Sequence, residues 1–232
     1  MIRALKLPSE MMNKTPGLAG RVDYSGLLAS LNGSFSQAVI AALSEELPHL
    51  WRDAYLAMTP VETNICRILL ASFEYLFDDC ATLEAQGLVA QDRKRESRLV
   101  AVFGHSAPQK RSRDDSRLQG WPGRPEARFG KRWDKGHFIA HSIGGAVDQW
   151  ELNVFLQRRD LNRGWSRAGK LYRSMETYCA LHPGTFCFSR PIYMDGSARP
   201  ALLEFGILKA EGELWVEVFK NHYRRYSTST VR

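Results

Sequence analysis

The sequence predicts an α+β fold, and the main reason is a change of hydrophobic period along the chain. Apolar residues recur at intervals of three and four over residues 24–88, which is typical of helices. From Ser97 onward short β-rich runs replace this pattern, and the final part alternates apolar and polar residues. The 232 residues are 44% hydrophobic and 25% charged, so one sizeable globular core is expected.

Two long helices are predicted in the first part of the chain. The first is expected to end at Pro48, because proline interrupts helical hydrogen bonding. The second begins at Thr59, a good N-cap followed by proline at the first helical position and a glutamate three residues after the cap. It is expected to run to about Phe77. We interpret residues 1–89 as a helical accessory region without catalytic residues.

The second part, residues 90–232, is interpreted as a separate domain rich in strands. A β-rich run from Arg98 ends at a glycine, and a polar, arginine-rich loop follows over residues 108–125. Such a long loop favours contact with nucleic acid over plain solvation. Strand-like runs follow from residue 186, and the segment Ala210-Glu-Gly-Glu predicts a hairpin turn between the last two.

Charge is distributed unevenly between the two parts. Residues 1–89 carry 6 basic and 10 acidic side chains, a net charge of −4, whereas residues 90–232 carry 26 and 15, a net charge of +11. Lysine and arginine concentrate phosphate groups at a surface and gain from counterion release. The second part is therefore expected to bind a polyanion such as nucleic acid, with a solvated basic surface as the alternative.

The cellular location is predicted from the absence of a recognisable membrane-spanning helix or signal peptide. No window approaches the roughly 18 consecutive apolar residues of a membrane-spanning helix, and no apolar signal core follows the first basic residues. We expect no membrane partner and a cytoplasmic location, with secretion by a non-classical route as the alternative. The four cysteines lack metal-binding spacing, so reduced thiols are expected, and a bridge between Cys179 and Cys187 stays open.

The residues after position 133 have the types that phosphodiester cleavage requires. The reaction needs a base to activate water, a divalent cation to neutralise developing charge, and a cationic group near the phosphate. His137 supplies an imidazole that is neutral near physiological pH. The amide of Asn162 supplies an oxygen of the kind that Mg²⁺ prefers. Gly136 is expected to permit an unusual backbone conformation and close substrate approach.

The sequence over residues 134–176 resembles a known family. The segments Asp-Lys-Gly-His137, Asp-Leu-Asn162-Arg-Gly and Tyr-Arg-Ser-Met-Glu176, with Gln157 and Asn153 five and nine residues before Asn162, resemble the DNA/RNA non-specific endonucleases of the ββα-metal, or His-Me finger, superfamily. In that family an Asp-Arg-Gly-His box precedes a metal-binding asparagine at this spacing. The resemblance implies a ββα-metal nuclease core with an antiparallel sheet, preceded here by the N-terminal helical region.

Roles for individual residues follow from that resemblance. It implies that His137 is the general base, that Asn162 binds Mg²⁺ or another divalent cation such as Mn²⁺, and that Glu176 orients a metal-bound water. The remaining residues would support these three: Asn153 would hold His137, Gln157 would support the metal site or substrate, and Lys135 or Arg163 would stabilise the phosphate.

Two departures from the family pattern bear on these roles. Lys135 stands where the family has arginine, which keeps the charge but loses the bidentate fork. The interval between Asn162 and Glu176 is also longer, with Trp165–Lys170 as the inserted stretch. These departures motivate the rival interpretation of a catalytically inactive nucleic-acid-binding protein.

Several residues in this region also have a purely structural interpretation. His141 is expected either to be structural or to support the site from behind the residues that contact substrate, and Asp134 is expected to anchor a turn rather than bind metal. Three tryptophans near the site could stack on bases, although packing in the core is the commoner role of tryptophan. They are Trp133, Trp150 and Trp165.

The sequence therefore predicts a Mg²⁺-dependent endonuclease without sequence specificity, hydrolysing DNA and RNA, with His137 as general base. Nucleases of this kind are often bacterial toxins or effectors, so residues 1–89 could serve delivery or docking, and an inhibitor or immunity protein is an expected partner. The sequence leaves the oligomeric state open.

Overall fold

The computed structural model describes residues 20–31, 37–59, 61–87, 95–108, 129–146 and 150–223. Its strands are β1 (Ile65–Leu70), β2 (Phe73–Asp78), β3 (Arg98–His105), β4 (Trp133–His137), β5 (Val154–Arg158), β6 (Phe186–Ile192), β7 (Leu202–Leu208) and β8 (Leu214–Lys220). Its α-helices are α1 (Tyr24–Ser30), α2 (Gln37–Met58), α3 (Cys80–Ala85), α4 (Trp150–Asn153), α5 (Arg159–Asn162) and α6 (Arg167–Leu181). A short 3₁₀ turn spans His141–Ile143.

Six strands form one antiparallel sheet in the order β1-β2-β3-β6-β7-β8, and β4 and β5 form a separate antiparallel pair. Helix α2 covers one face of the sheet, where the ring centroid of Trp51 lies 4.9 Å from that of Phe188. The β4–β5 hairpin and α6 cover the other face, where the ring of Tyr172 lies 5.4 Å from that of Phe205. Burial on both faces explains why every residue of β6 and β7 is buried. The predicted α+β fold is confirmed.

Helix α2 continues past Pro48, so the expected end of the helix at this residue is wrong. Proline inside a helix costs about 3 kcal/mol, because it removes one backbone hydrogen bond and crowds the preceding turn. The apolar period continues beyond it, and Leu47, Trp51 and Tyr55 are all buried against the sheet. Burial of these large side chains offsets the cost of the proline.

The helix expected from Thr59 to Phe77 is also wrong, because β1 and β2 form a hairpin there. A two-residue turn joins the strands, and Ala71 in that turn has φ of +55°. Two-residue hairpin turns with positive φ at the first central residue usually carry glycine there, and Ala-Ser gives no such signal. The short helix α3 is capped by Asp79, whose side chain accepts a hydrogen bond from the Thr82 backbone N–H.

The six-stranded sheet crosses the expected boundary between residues 89 and 90. Strand β2 pairs with β3, so β1 and β2 belong to the same sheet as strands of the second part. Helix α1 is tied to that sheet by a buried network, in which the hydroxyl of Tyr24 and the Arg190 guanidinium both donate to the Glu204 carboxylate. These contacts place the described N-terminal elements in one core with strands of the second part, and the role of residues 1–89 stays a prediction.

The C-terminal strands follow the sequence prediction closely. β6, β7 and β8 are present, and residues 186–192 form one continuous strand. The predicted turn is confirmed, since the backbone N–H of Lys209 donates to the carbonyl of Glu213 across it and Gly212 has φ of +85°. The four cysteines are free thiols. Residues 109–125 of the predicted arginine-rich loop lie outside the described residues.

Within the described ranges, no helix combines the length and the apolar character that crossing a membrane would require.

Candidate active site

The candidate site is built on the β4–β5 hairpin. In its register Lys135 lies opposite Leu156 and His137 lies opposite Val154. Side chains alternate between the two faces of a strand, and along β4 half-buried and buried residues alternate strictly. Trp133, Lys135 and His137 therefore share the half-exposed face, whereas Asp134 and Gly136 share the buried one.

Gly136 is required by a close contact across the hairpin. A Cβ atom at this position would lie 2.1 Å from Oε1 and 2.6 Å from Cβ of Gln157. Gly136 is not among the residues with positive φ, so the unusual backbone conformation expected from the sequence is wrong. Gln157 is 1% exposed, and its Nε2 has no hydrogen-bond partner among the described residues. The glycine thus makes room for Gln157 beneath the strand that carries His137.

We expect Gly136→Ala to destabilise the protein by about 1–3 kcal/mol, the usual cost of overpacking a filled interior. The change in the free energy of unfolding can be measured by urea denaturation. In a Gln157→Gly background both clashing atoms are absent, so the cost of Gly136→Ala should shrink. An equal cost in both backgrounds would contradict the assignment of the strain to Gln157.

Asn153 holds the backbone that follows His137. Its Oδ1 accepts a hydrogen bond of 2.9 Å from the N–H of Ile139, and its Nδ2 donates to the carbonyls of Ile139 and Ala146 at 2.9 and 2.7 Å. Asn153 is completely buried, and its own carbonyl accepts from the N–H of Phe138. It therefore fixes the loop after β4 through the backbone.

Asp134 is the centre of an ionic cluster. Its carboxylate accepts hydrogen bonds from Nε of Arg159 at 2.8 Å and from Nε of Arg163 at 2.7 Å. Burial alone would raise the pKa of Asp134, but the hydrogen bonds from Arg163, Arg159 and Asn162 lower it below its ordinary value. The expectation that Asp134 anchors a turn is too narrow, because this residue holds α5 against β4.

The side chain of Asn162, at the end of α5, is oriented by Asp134. Its Nδ2 donates to Oδ2 of Asp134 at 3.3 Å. An ionised carboxylate only accepts hydrogen bonds, so the amide must present its NH₂ group to it, and the amide oxygen of Asn162 is directed away. The backbone carbonyl of Asn162 accepts from the Arg173 guanidinium on α6 at 3.0 and 3.2 Å. Hydrogen bonds therefore hold both the side-chain amide and the backbone carbonyl of Asn162.

Helix α6 brings further candidate residues toward β4. The hydroxyl of Tyr172 donates to the carbonyl of His137 at 3.5 Å. Glu176 lies four residues later, on the same face of the helix. Burial raises the pKa of Tyr172 well above its ordinary value, and the negative charge of Glu176 raises it further, which places this carboxylate close to the tyrosine.

The chain turns tightly between α5 and α6, and the Trp165–Lys170 stretch includes the first residues of α6. Ser166 caps α6, since its Oγ accepts from the N–H of Gly169 at 3.0 Å. A Cβ atom at Gly169 would lie 2.5 Å from the carbonyl oxygen of Asp160, so the two helix backbones approach closely here.

The remaining candidates lie around this framework. Burial lowers the pKa of the Lys135 ammonium below its ordinary value. His141 is buried at the start of the 3₁₀ turn, in agreement with a structural role. Trp165 is 64% exposed, and the Arg163 guanidinium lies 5.2 Å from the centre of its ring. Trp133 is half-exposed. The side chain of Trp150 lies outside the described residues.

Three groups of contacts result. The first joins Asp134 with Asn162 and Arg163, the second joins Gln157 with Gly136, and the third joins His137 through its carbonyl with Tyr172 on α6. Arg159 and Tyr172 were not among the residues selected from the sequence. Arg159 begins α5 and Arg163 directly follows it, and this spacing of four residues is a signal that could have indicated a shared acidic partner.

Among the described residues, no three His, Cys, Asp or Glu side chains are grouped to hold a metal ion. A cation site here would therefore rest on the amide oxygen of Asn162, on Glu176 and on water. Such a donor set suits Mg²⁺, which binds oxygen and usually keeps several of its waters.

No family model matches the chain, and no curated protein matches it. A solved structure described as an extracellular endonuclease is 14% identical with a TM-score of 0.34, and the match covers 71% of this chain and 81% of that one. A second, described as Sda1 nuclease with a bound zinc ion, is 15% identical with a TM-score of 0.36 and coverages of 68% and 74%. At these values the likeness carries no argument, and any function must be argued from the site itself.

Proposed function

We propose that this protein is a divalent-metal-dependent endonuclease that hydrolyses phosphodiester bonds in DNA and RNA, with His137 as general base. One observation carries the proposal. Asp134 orients the amide of Asn162, so that an oxygen suited to a hard cation is held on the helix directly after the hairpin that carries His137.

His137 activates the attacking water. It lies at the end of β4 on the half-exposed face, where a substrate can reach it. Its backbone is fixed from two sides, by Tyr172 at its carbonyl and by Asn153 through the two residues that follow. A neutral imidazole held in this way accepts the proton that water loses as it attacks phosphorus.

The amide oxygen of Asn162 and the Glu176 carboxylate are the groups that would hold the cation. A bound Mg²⁺ would neutralise the negative charge that develops on the phosphate and on the departing 3′ oxygen. Asn162 would hold it through its oxygen, because Asp134 occupies its nitrogen. Glu176 lies one helical turn after Tyr172, whose hydroxyl donates to the carbonyl of His137 at the end of β4.

Cationic side chains hold the substrate backbone. Lys135 lies on the same face of β4 as His137 and two residues away, so its ammonium can bind a phosphate next to the scissile one. Arg163 is positioned by Asp134 and is 46% exposed, so it remains accessible to a phosphate. Contacts of this kind address phosphate and sugar, and little sequence preference is expected.

The proposal is tested by incubating the folded protein with supercoiled plasmid and with unstructured RNA in Mg²⁺, Mn²⁺ or Zn²⁺, each with and without EDTA. We expect both substrates to be cut with Mg²⁺ and to remain intact with EDTA. Intact nucleic acid in every metal, with abundant folded protein, would exclude the proposed activity.

The second candidate function is binding of nucleic acid without cleavage, which Lys135 favours because a point charge replaces a bidentate guanidinium. It predicts salt-sensitive binding and no turnover in the same experiment. Turnover that depends on His137 would exclude it.

A further inference from the structure

A second basic surface lies at the other end of β4. Trp133 and Tyr223 meet edge to face with ring centroids 5.6 Å apart. The Arg199 guanidinium lies 5.2 Å from the centre of the Trp133 ring, and the Arg132 guanidinium lies 5.4 Å from that of Tyr223. We call these four residues the Trp133 strip. Both arginines are exposed, and both rings are partly exposed.

The Trp133 strip is fixed by contacts beneath it. The hydroxyl of Tyr223 donates to the carbonyl of Arg132 at 2.6 Å. The guanidinium of Arg158 lies 4.8 Å from the centre of the Tyr223 ring and donates to the carbonyls of Lys220 and His222 at 3.3 and 3.4 Å. The aromatic rings are thus held in place before any ligand binds.

Charged side chains of both signs lie around the Trp133 strip among the described residues. Asp160 is paired with Arg158, and its Oδ1 lies 3.4 Å from the Tyr223 hydroxyl. Burial alone would raise the pKa of Asp195, but the hydrogen bonds from Ser197 and the positive charge of Arg199 lower it below its ordinary value, so this carboxylate lies near Arg199. Glu96 is a further acidic neighbour, since it accepts a hydrogen bond from the Ala198 backbone N–H. Arg132 and Arg199 lie exposed beside the two aromatic rings.

The Trp133 strip continues the face that carries the candidate catalytic residues. Trp133, Lys135 and His137 alternate along the half-exposed side of β4. Four residues of strand span about 13 Å, so a ligand reaching from His137 to Trp133 passes over Lys135 on the way. A cationic and aromatic track leads from the candidate site to the Trp133 strip.

We propose that the Trp133 strip binds unpaired nucleotides of a single-stranded nucleic acid whose backbone continues from the site at His137. A base stacks on the exposed part of the Trp133 ring, and the Arg132 and Arg199 guanidinium groups bind the adjoining phosphates. Every base has a π-face, so this contact does not select sequence. The inference rests on the proposed nucleic-acid substrate and names its preferred form.

Duplexes would not use the Trp133 strip in the same way. In a double helix the faces of the bases are stacked on each other, and only their edges and the phosphates are accessible. The two arginines would still attract a duplex, but the aromatic contact would be lost. A preference for single strands that depends on Trp133 is therefore the specific consequence of this geometry.

The test measures binding rather than cleavage. Full-length protein with His137→Ala in EDTA is titrated against one labelled oligonucleotide, as a single strand and as a duplex, by fluorescence anisotropy. We expect Trp133→Ala to weaken single-strand binding about tenfold or more and to change duplex binding less than twofold. Trp133→Phe should retain most of the affinity. Arg199→Gln should weaken both forms and lower the salt dependence.

Trp215→Ala is the matched control, since Lys209 lies 4.8 Å from the centre of the Trp215 ring at the opposite end of β8. This variant should bind both forms as the parent does. Unchanged single-strand binding in Trp133→Ala, or an equal loss for both forms, would overturn the inference, with thermal unfolding confirming that each variant is folded. Because the experiment measures binding and not cleavage, it can be interpreted even if the protein proves to have no nuclease activity.

Discussion

His137→Ala is expected to lower the rate of DNA cleavage about 10²–10⁴-fold, the usual contribution of a general base. Water remains a poor nucleophile when nothing accepts its proton, and no other half-exposed imidazole lies on the described part of β4. The side chain is partly exposed at the end of a strand, so the free energy of unfolding should change little. Single-turnover cleavage of a labelled oligonucleotide in saturating Mg²⁺ measures the effect.

Two further measurements separate a base from a merely structural histidine. Added imidazole should restore part of the activity of His137→Ala, because a small base can occupy the space that the side chain left. His182→Ala removes an exposed histidine at the end of α6 and should cleave as the parent does. A His137→Ala protein that is folded and fully active would exclude His137 as the base and remove the proposed mechanism.

The fold was predictable where local signals and tertiary pairing agree. β3 and β6–β8 have β-rich runs and turn glycines, and the structure contains them. The β1–β2 hairpin was missed because Ile65, Leu69 and Phe73 also fit a helical spacing, and its turn lacks glycine and asparagine. Pairing of β2 with β3 decides between the two alternatives, and that contact is not local in sequence.

The sequence allowed the residues of the candidate site to be selected, but not the partners with which they form hydrogen bonds. The spacing of Asn153, Gln157 and Asn162 selects the segment, and the structure places the first two buried around the hairpin. What Asp134 does could not be predicted from position alone, because its partners lie 25 to 29 residues later on another element. Long-range hydrogen bonds of this kind depend on how α5 packs against β4, which the local sequence does not specify.

Asp134→Asn is expected to reduce cleavage about 10–100-fold at low Mg²⁺, the typical effect of changing a group that orients a metal ligand. An asparagine can either donate to or accept from the Asn162 amide, so the amide oxygen of Asn162 is no longer forced away from it. The loss of charge also weakens the hold on Arg159 and Arg163, and stability should fall by about 1–3 kcal/mol. The readout is the Mg²⁺ concentration that gives half of the maximal rate.

Raising Mg²⁺ should restore much of the rate in Asp134→Asn, because the variant loses ligand orientation rather than a reacting group. Asp160→Asn is the matched control, since Asp160 also pairs with an arginine but does not contact Asn162. In an Asn162→Ala background, Asp134→Asn should add no further change in Mg²⁺ dependence, because the residue through which it acts is absent. If instead the two effects multiply, Asp134 acts independently of Asn162, and the orientation of that amide does not govern the cation site.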